Sequence, residues 1–310
     1  MKREKGNRIE EACQLLVEQD ICTKTDQIPI TESYGRVLAE RIAAETAVPS
    51  FRRSAYDGYA VRRSDIAWAS EASPVTLGVM ETIPAGRIGH YPVTEGKAAR
   101  IMTGAAVPAG ADAVVMHELT RFTDTEVTFF APAGADNIVP AGEDVQLGEC
   151  LAEAGKVIGA ADVALFAGQG MQHVRVYKRP EAALLSTGSE LLMPGETLAP
   201  GKIYNTNPYL LQGYLLKYGM LPKVCGIVPD EKVILAERIE EALETSDLVI
   251  TTGGVSAGDY DYIPSVVEQI GADILFHRLP FKPGGAMLAA VREKKVILGL
   301  SGNPGAAAVG

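Results

Sequence analysis

Apolar and polar residues follow two different periods in the second half of this chain. From Pro180 onwards, short apolar runs rich in Val and Ile alternate with longer stretches in which apolar residues recur at i, i+3 and i+4. This alternation of strands and helices predicts a mostly parallel sheet covered by helices on both faces. The predicted strands are residues 182–186, 223–228, 247–252, 274–277, 287–291 and 296–300.

Three amphipathic patterns predict helices that pack on a core. The first, near the N-terminus, has its apolar stripe at Ile9, Ala12, Cys13, Leu16 and Val17. The second is predicted to be capped by Asn207, to bury Leu211, Tyr214, Leu215 and Tyr218, and to end at Gly219. The third is predicted to bury Leu235, Ala236, Ile239, Ala242 and Leu243.

The region between residues 49 and 148 has a different character. Short β-branched runs are separated by turns, and the tripeptide Pro-Ala-Gly occurs at Pro84, Pro108, Pro132 and Pro140. Pro followed two residues later by Gly suits positions i+1 and i+3 of a type I turn. We therefore predict an all-β module inserted into the chain.

Composition narrows the class of protein. The net charge of −10 argues against a general nucleic-acid or anionic-membrane binder, because both need a basic excess. The four cysteines show no C-x-x-C pair, which favours reduced thiols in a cytoplasmic protein. The four histidines lack the spacing of a zinc site.

The loops that follow the predicted strands carry the candidate chemistry, because they meet along one edge of a parallel sheet. Residues 251–258 read TTGGVSAG, in which the glycines let backbone N–H groups approach an oxyanion. Glu190 and Asp261 are candidate Mg²⁺ ligands, although each also suits the first turn or cap of a helix. Asp230 suits helix capping better than metal binding. Lys282 lies on a turn where it could neutralise phosphate.

Eight stretches together are similar to the molybdopterin molybdenumtransferase (MoeA-type) family, which the gephyrin E-domain also represents. They are SAYDGYA at 54–60, MTGAAVP at 102–108, GED at 142–144, STGSEL at 186–191, GKIYNTN at 201–207, GGVSAGDYD at 253–261, KPG at 282–284 and GNP at 302–304. They follow the family's order through nearly the whole chain. Outside this resemblance, residues 54–60 could be an ordinary Asp-Gly hairpin.

The resemblance implies a homodimer with a discontinuous domain plan. Residues 1–20 form a helix that joins the α/β domain, and residues 21–47 with 146–176 form an elongated linking domain. Residues 48–145 form the inserted β module. Residues 177–310 form a three-layer α/β/α molybdopterin-binding domain. The family continues beyond GNP with a helix and a small β domain, and we expect this C-terminal β domain to be absent here.

The resemblance also implies a reaction and its residues. Molybdate is inserted into adenylylated molybdopterin with release of AMP and with Mg²⁺ present. Glu190 and Asp261 are implied as the metal-binding carboxylates. The implied catalytic groups are Asp57, Thr103, Glu190, Asp230, Asp261 and Lys282, and the implied cofactor-binding groups are Thr187, Gly188, Gly253, Gly254, Ser256, Gly258, Gly302 and Asn303. Asp57 and Thr103 are expected to face the partner subunit's α/β edge.

Two departures from the family keep other functions open. The family reads KPGKP where this chain has KPGGA at 282–286, and PGNPVS where this chain has SGNPGA at 301–306. The alternatives are a non-catalytic molybdopterin-binding or scaffold protein and a molybdopterin adenylyltransferase, which shares the α/β domain. The β-rich first half disfavours the adenylyltransferase. A separate adenylyltransferase is the expected partner, and no nucleic acid or membrane is expected to bind.

Overall fold

The computed structural model of the chain describes residues 9–19, 24–255 and 261–310. These divide into two compact units. The first unit comprises Met1–Ala39, Val157–Gly159 and His173–Gly310, and the second comprises Glu40–Lys156 and Ala160–Gln172.

The helices are α1 Ile9–Val17, α2 Ala160–Gly168, α3 Asn207–Lys217, α4 Lys232–Thr245, α5 Ile263–Gln269 and α6 Pro304–Val309. The strands of the first unit are β1 Thr25–Pro29, β12 His173–Tyr177, β13 Glu181–Thr187, β14 Leu191–Leu192, β15 Ile203–Tyr204, β16 Leu221–Val228, β17 Leu248–Thr252, β18 Asp273–His277, β19 Leu288–Arg292 and β20 Lys295–Leu300. The strands of the second unit are β2 Ile42–Ala43, β3 Arg53–Ser54, β4 Gly58–Val61, β5 Val75–Ile83, β6 Lys97–Ile101, β7 Ala113–Met116, β8 Thr120–Phe122, β9 Glu126–Phe129, β10 Ile138–Val139 and β11 Cys150–Ala152. No helix among them is both long and apolar enough to cross a membrane.

A six-stranded sheet in the order β16-β13-β17-β20-β19-β18 forms the centre of the first unit. The pairs β13–β16, β13–β17 and β17–β20 are parallel, whereas β19 is antiparallel to both β20 and β18. All strands of this sheet except β19 therefore run in one direction. The antiparallel strands β1 and β12 form a separate ribbon in the same unit.

Alternate residues of the central strands face two different apolar clusters, as a pleated strand requires. Ala183 and Leu185 of β13 pack with side chains of α4 and α5. Ala182 and Leu184 pack in the other cluster, which includes residues of α1, α3 and α6. Because both faces of β13 are buried, its sequence shows a continuous apolar run.

Helix α4 buries the whole predicted stripe, Leu235, Ala236, Ile239, Ala242 and Leu243. Helices α1 and α3 correct the prediction in part. In α1, Ala12 is buried, whereas Ile9, Cys13 and Val17 are exposed. Fewer residues of this helix therefore pack on the core than the predicted apolar stripe contains. In α3, Leu211 and Leu215 are buried but Tyr214 and Tyr218 are exposed. Tyrosine is amphipathic, so its apolar ring does not require burial.

The ends of α3 also differ from the prediction. Thr206 occupies the N-cap position, and Asn207 is the first helical residue. The predicted end is correct, because Gly219 has φ +79° and the N–H of Met220 bonds to the carbonyl of Leu215. Only glycine adopts such a backbone at low cost, and it commonly terminates helices in this way.

The second unit contains a six-stranded sheet in the order β7-β4-β6-β5-β9-β8. The possible Asp-Gly hairpin at residues 54–60 does not form, because β3 pairs with β10 while β4 pairs with β6 and β7. Gly58 instead allows a close backbone approach, since a Cβ atom there would lie 2.1 Å from the carbonyl oxygen of Val115.

The Pro-Ala-Gly turns at Pro84 and Pro108 are shifted by one position from the prediction. The N–H of Arg87 bonds to the carbonyl of Pro84, and that of Ala111 to Pro108. Proline is therefore residue i, and Gly86 and Gly110, with φ of +81° and +85°, occupy position i+2. A positive φ at i+2 favours glycine, as in type II turns.

Candidate functional site

The strand-end loops predicted to form a site lie side by side in the first unit. Thr187 at the end of β13 pairs with Val228 of β16, and Thr252 of β17 pairs with both Ser186 and Leu300. The Asp230 turn, the glycine loop and the GNP turn therefore start at one edge of the sheet, from β16, β17 and β20. The loop from β18 to β19, which carries Lys282, starts at the same edge because His277 pairs with Leu288, and Leu288 with Gly299.

Glycine is required at this edge because the backbones approach closely. A Cβ atom on Gly253 would lie 2.6 Å from the carbonyl oxygen of Thr187. Gly253 and Gly254 also have φ of +95° and +67°. The N–H of Gly253 donates to the carbonyl of Leu300 at 2.9 Å, so this N–H is used within the protein. Ser256 and Gly258 lie outside the described residues.

Asp230 interacts electrostatically with both predicted metal ligands. Burial raises the pKa of Asp230 above its ordinary value, and the neighbouring carboxylates of Glu190 and Asp261 raise it further. Hydrogen bonds from the Ser189 N–H, at 3.3 Å, and from the Thr187 hydroxyl oppose this shift. The fold therefore brings Asp230 close enough to Glu190 and to Asp261, each on a different loop, for both to act on its pKa.

Neither aspartate caps a helix, contrary to the alternative that the sequence left open. The N-cap of α4 is Glu231 and that of α5 is Tyr262, and neither cap has a side-chain hydrogen bond. Asp230 instead accepts from the N–H of Ser189, in the loop after β13. The preference for capping at Asp230 was wrong, because a cap is a local feature and this contact joins residues that are distant in sequence.

The donor set of these carboxylates fits a hard divalent cation. Carboxylate oxygens are the usual protein ligands of Mg²⁺, which commonly takes one or two of them beside phosphates and water. A cation would also relieve the repulsion that raises the pKa of Asp230. Among residues 9–19, 24–255 and 261–310, no three acidic, His or Cys side chains are already arranged as a metal cage. Any ion here would rely on other ligands as well.

Glu190 folds back over its own loop. Gly188 has φ +149°, and a Cβ atom there would lie 2.6 Å from the nearer carboxylate oxygen of Glu190. Glycine at this position lets the carboxylate lie directly over the backbone.

Two lysines provide positive charge at this edge. Lys282 is exposed on the loop between β18 and β19. Lys202, which the sequence reasoning did not select, donates from Nζ to the carbonyl of Ser189 at 2.5 Å. It therefore lies beside the residue that precedes Glu190. Only its place in the GKIYNTN stretch pointed to it.

A buried polar network below the loops was also missed. The hydroxyl of Thr252 donates to that of Ser186 at 3.1 Å, and Ser186 donates to Oδ1 of Asn205 at 3.2 Å. Within the described part of the chain, Asn205 Nδ2, Asn207 Oδ1 and Thr251 Oγ1 are buried without a hydrogen-bond partner. Buried polar atoms usually have partners, so these atoms are candidates to contact water or a ligand.

The GNP turn completes the edge. The side-chain amide of Asn207 donates to the carbonyl of Gly302 at 2.9 Å, which fixes the turn against the start of α3. Asn303 caps α6, because its Oδ1 accepts from the N–H of Ala306 at 3.2 Å. Asn303 is therefore held by a structural contact, which sequence inspection alone did not identify.

Asp57 and Thr103 form a hydrogen-bonded pair in the second unit. Oδ1 of Asp57 accepts from both the hydroxyl and the N–H of Thr103, each at 2.7 Å. The Thr103 hydroxyl and then its N–H lower the pKa of Asp57, and the charges of His117 and Arg100 contribute in the same direction. Asp57 is thus an exposed carboxylate that stays ionised near neutral pH.

Arg100 and His117 were not predicted from the sequence. The His117 ring stacks on Phe122 with 4.3 Å between centroids, and Arg100 lies 5.6 Å from the centroid of the same ring. The N–H of His117 donates to the carbonyl of Asp57 at 3.1 Å. Both side chains are therefore positioned by packing, and no spacing in the sequence relates them to Asp57.

Comparison with known proteins defines the class to which this arrangement belongs. Residues 7–170 match the family model described as the MoeA N-terminal region (domain I and II), and residues 183–310 match the probable molybdopterin binding domain. The molybdopterin molybdenumtransferase of Bacillus subtilis is 39% identical over 292 residues, which are 93% of this chain and 68% of the relative. That of Staphylococcus epidermidis is 37% identical over 303 residues, covering 97% of this chain and 72% of the relative.

Solved structures agree with this result. The crystal structure of a molybdopterin biosynthesis MoeA protein from Pyrococcus horikosii superimposes with a TM-score of 0.88 at 33% sequence identity. The match covers 98% of this chain and 76% of that structure. The chain therefore belongs to the MoeA family of molybdopterin molybdenumtransferases, a family of molybdenum cofactor biosynthesis.

Proposed function

We propose that this chain inserts molybdate into adenylylated molybdopterin and releases AMP, with Mg²⁺ bound at the strand-end edge of the first unit. The observation that best supports this is the coupling of Glu190, Asp230 and Asp261 beside a glycine-lined loop in a chain of the MoeA family. Carboxylates that come together beside a glycine loop suit a cation shared between protein and nucleotide.

The chain's own residues contribute mainly position and charge. Both substrates are anions, and the protein carries a net charge of −10, so local positive charge is needed to bring them together. Lys282 and Lys202 provide that charge, and Glu190 and Asp261 would hold Mg²⁺, which supplies charge neutralisation when bound. Asp230 orients the loop after β13 through its bond to Ser189. No covalent nucleophile is required.

The domain plan forms part of the same proposal. The sheet of the first unit, with its two apolar clusters, supports a three-layer α/β/α molybdopterin-binding domain. The second unit supports an inserted β module with a linking segment. The Asp57–Thr103 pair would act across a homodimer interface on the partner's strand-end edge. An adenylyltransferase would supply the substrate in the cytoplasm.

The test is molybdate-dependent release of AMP from adenylylated molybdopterin, followed by chromatography. Wild-type chain is expected to release AMP, whereas Glu190→Gln and Asp261→Asn are expected to fall to background because each removes one carboxylate charge. Glu237→Gln, on the exposed face of α4, is the matched control and should retain activity. Unchanged release by both site variants would contradict the proposal. Substrate binding without turnover by wild type would favour the scaffold alternative.

A further inference from the structure

A cavity of about 330 Å³ lies at the opposite end of the sheet from the strand-end loops. It is formed where α3 ends, at Tyr218–Met220, and where the chain enters β13, at Pro180. Arg36, Tyr177, Lys178, Arg179, Tyr218 and Met220 contribute its distinctive side chains. All of these residues belong to the first unit. The volume is near the lower end of the roughly 300–1,000 Å³ range of small-molecule sites.

The charge in this cavity has one sign. Arg36, Lys178 and Arg179 line it, and none of the residues lining it is acidic. Two of these cations have partners, because Arg36 donates to the carbonyl of Tyr177 at 2.9 Å and Lys178 pairs with Asp26 at 3.2 Å. Across the described ranges, Arg179 has no such bond or ion pair. The guanidinium of Arg179 is therefore available to an anion, and two further cations lie beside it.

A second cavity of about 180 Å³ shares Lys178 and Arg179 but differs in charge. Glu181, Glu244 and Asp247 line it together with Lys24 and Lys295. Its lysine Lys295 bonds to the carbonyl of Leu243 at the end of α4. The acidic side chains repel an anion there, so an anion near Arg179 is favoured on the side of the larger cavity.

The remaining lining is aromatic and apolar. Tyr218 is 74% exposed, and Lys217 Nζ lies 5.7 Å from its ring centroid. Tyr177, Val37, Pro180 and Met220 provide further apolar surface. A planar guanidinium binds carboxylate in a bidentate manner and stacks on aromatic rings. The cationic and the aromatic parts of the lining together therefore favour a ligand that is flat, apolar and negatively charged.

We propose that this cavity, defined here as the Arg179 cavity, binds a small planar aromatic anion, with the carboxylate, sulfonate or phosphate on Arg179 and the ring against Tyr177 and Tyr218. The site is separate from the strand-end edge and does not depend on the function proposed there. Helix α3 connects the two places, because Asn207 at its first position contacts Gly302 and Tyr218 follows its last.

The test uses 2-naphthoate as the probe and isothermal titration calorimetry of the full chain. Wild type is expected to bind one equivalent of 2-naphthoate. Arg179→Glu is expected to raise the dissociation constant at least about tenfold. Arg87→Glu makes the same charge change at an exposed arginine of the second unit and should bind as wild type. Lys282→Glu should also bind as wild type, which separates this cavity from the strand-end edge.

The uncharged analogue 2-naphthol tests whether the anion is required, and it should bind at least about tenfold more weakly than 2-naphthoate. Tyr218→Ser is the second variant and should weaken 2-naphthoate without changing the charge. Circular dichroism checks that each variant is folded. Equal binding by wild type and Arg179→Glu, or a loss in Lys282→Glu that matches the loss in Arg179→Glu, would overturn the proposal.

Discussion

Gly58 leaves almost no room for a side chain, so the structure makes a specific prediction for Gly58→Ala. The new Cβ would lie 2.1 Å from the carbonyl oxygen of Val115 and 2.9 Å from its carbonyl carbon. Both are backbone atoms of β7, so rotation of a side chain does not relieve the overlap. Strands β4 and β7 must separate by roughly 1 Å to restore an ordinary contact.

The magnitude follows from two costs. Overpacking a close contact costs about 1–3 kcal/mol. Separation of the strands also weakens nearby bonds, such as the 3.1 Å bond from the His117 N–H to the Asp57 carbonyl. One lost hydrogen bond adds about 1 kcal/mol, so the free energy of unfolding should fall by about 2–4 kcal/mol. At roughly 3 °C per kcal/mol, the transition of this unit should occur about 6–12 °C lower.

Differential scanning calorimetry measures this change. Gly134→Ala is the matched control, since a Cβ atom there meets nothing within 4 Å and its φ is not positive. If Gly58→Ala unfolds at the same temperature as Gly134→Ala, the close approach of β4 and β7 is wrong.

Three further predictions concern the two units. Thr103→Val removes the hydroxyl that most lowers the pKa of Asp57, so that pKa should rise in a carboxylate NMR titration. A depressed folded pKa stabilises the protein above the ordinary value of 3.8, so the Tm difference between wild type and Thr103→Val should be largest near neutral pH. It should shrink as pH falls through the folded pKa, and a pH-independent difference would contradict this. Gly253→Ala, with φ +95° and 2.6 Å to the Thr187 carbonyl, should destabilise the strand-end edge by about 1–3 kcal/mol in urea titration. Ile239→Ala leaves a cavity under α4 and should cost about 2–5 kcal/mol in the same assay, whereas Glu237→Ala should be near neutral.

The sequence predicted a helix best where the residues that recur with the helical period are also the residues that the helix buries. Helix α4 buries one stripe, so its five core positions could be assigned from spacing alone. The stripe of α3 was wrong at Tyr214 and Tyr218 because both are exposed, and the pattern does not distinguish an apolar ring at the surface from one in the core. The requirement for glycine at position 58 depends on β7, which is distant in sequence, so no local signal reveals it.

Some features of the candidate site could likewise be predicted from the sequence, and others could not. The meeting of the strand-end loops at one edge could be predicted, because parallel strands bring their carboxyl ends to the same edge. The partners of Asp230 could not, because Glu190 and Asp261 reach it from other loops. Asn205 and Lys202 were missed since neither asparagine nor lysine in a loop is informative until its burial or its partner is known.

The most direct test of the proposed function is a crystal structure of the chain with adenylylated molybdopterin and Mg²⁺. We expect the nucleotide phosphates beside Gly254 and the ion between the carboxylates of Glu190 and Asp261, at the strand-end edge of the first unit. A pterin nucleotide bound elsewhere, with these two carboxylates making no contact to ligand or ion, would contradict it.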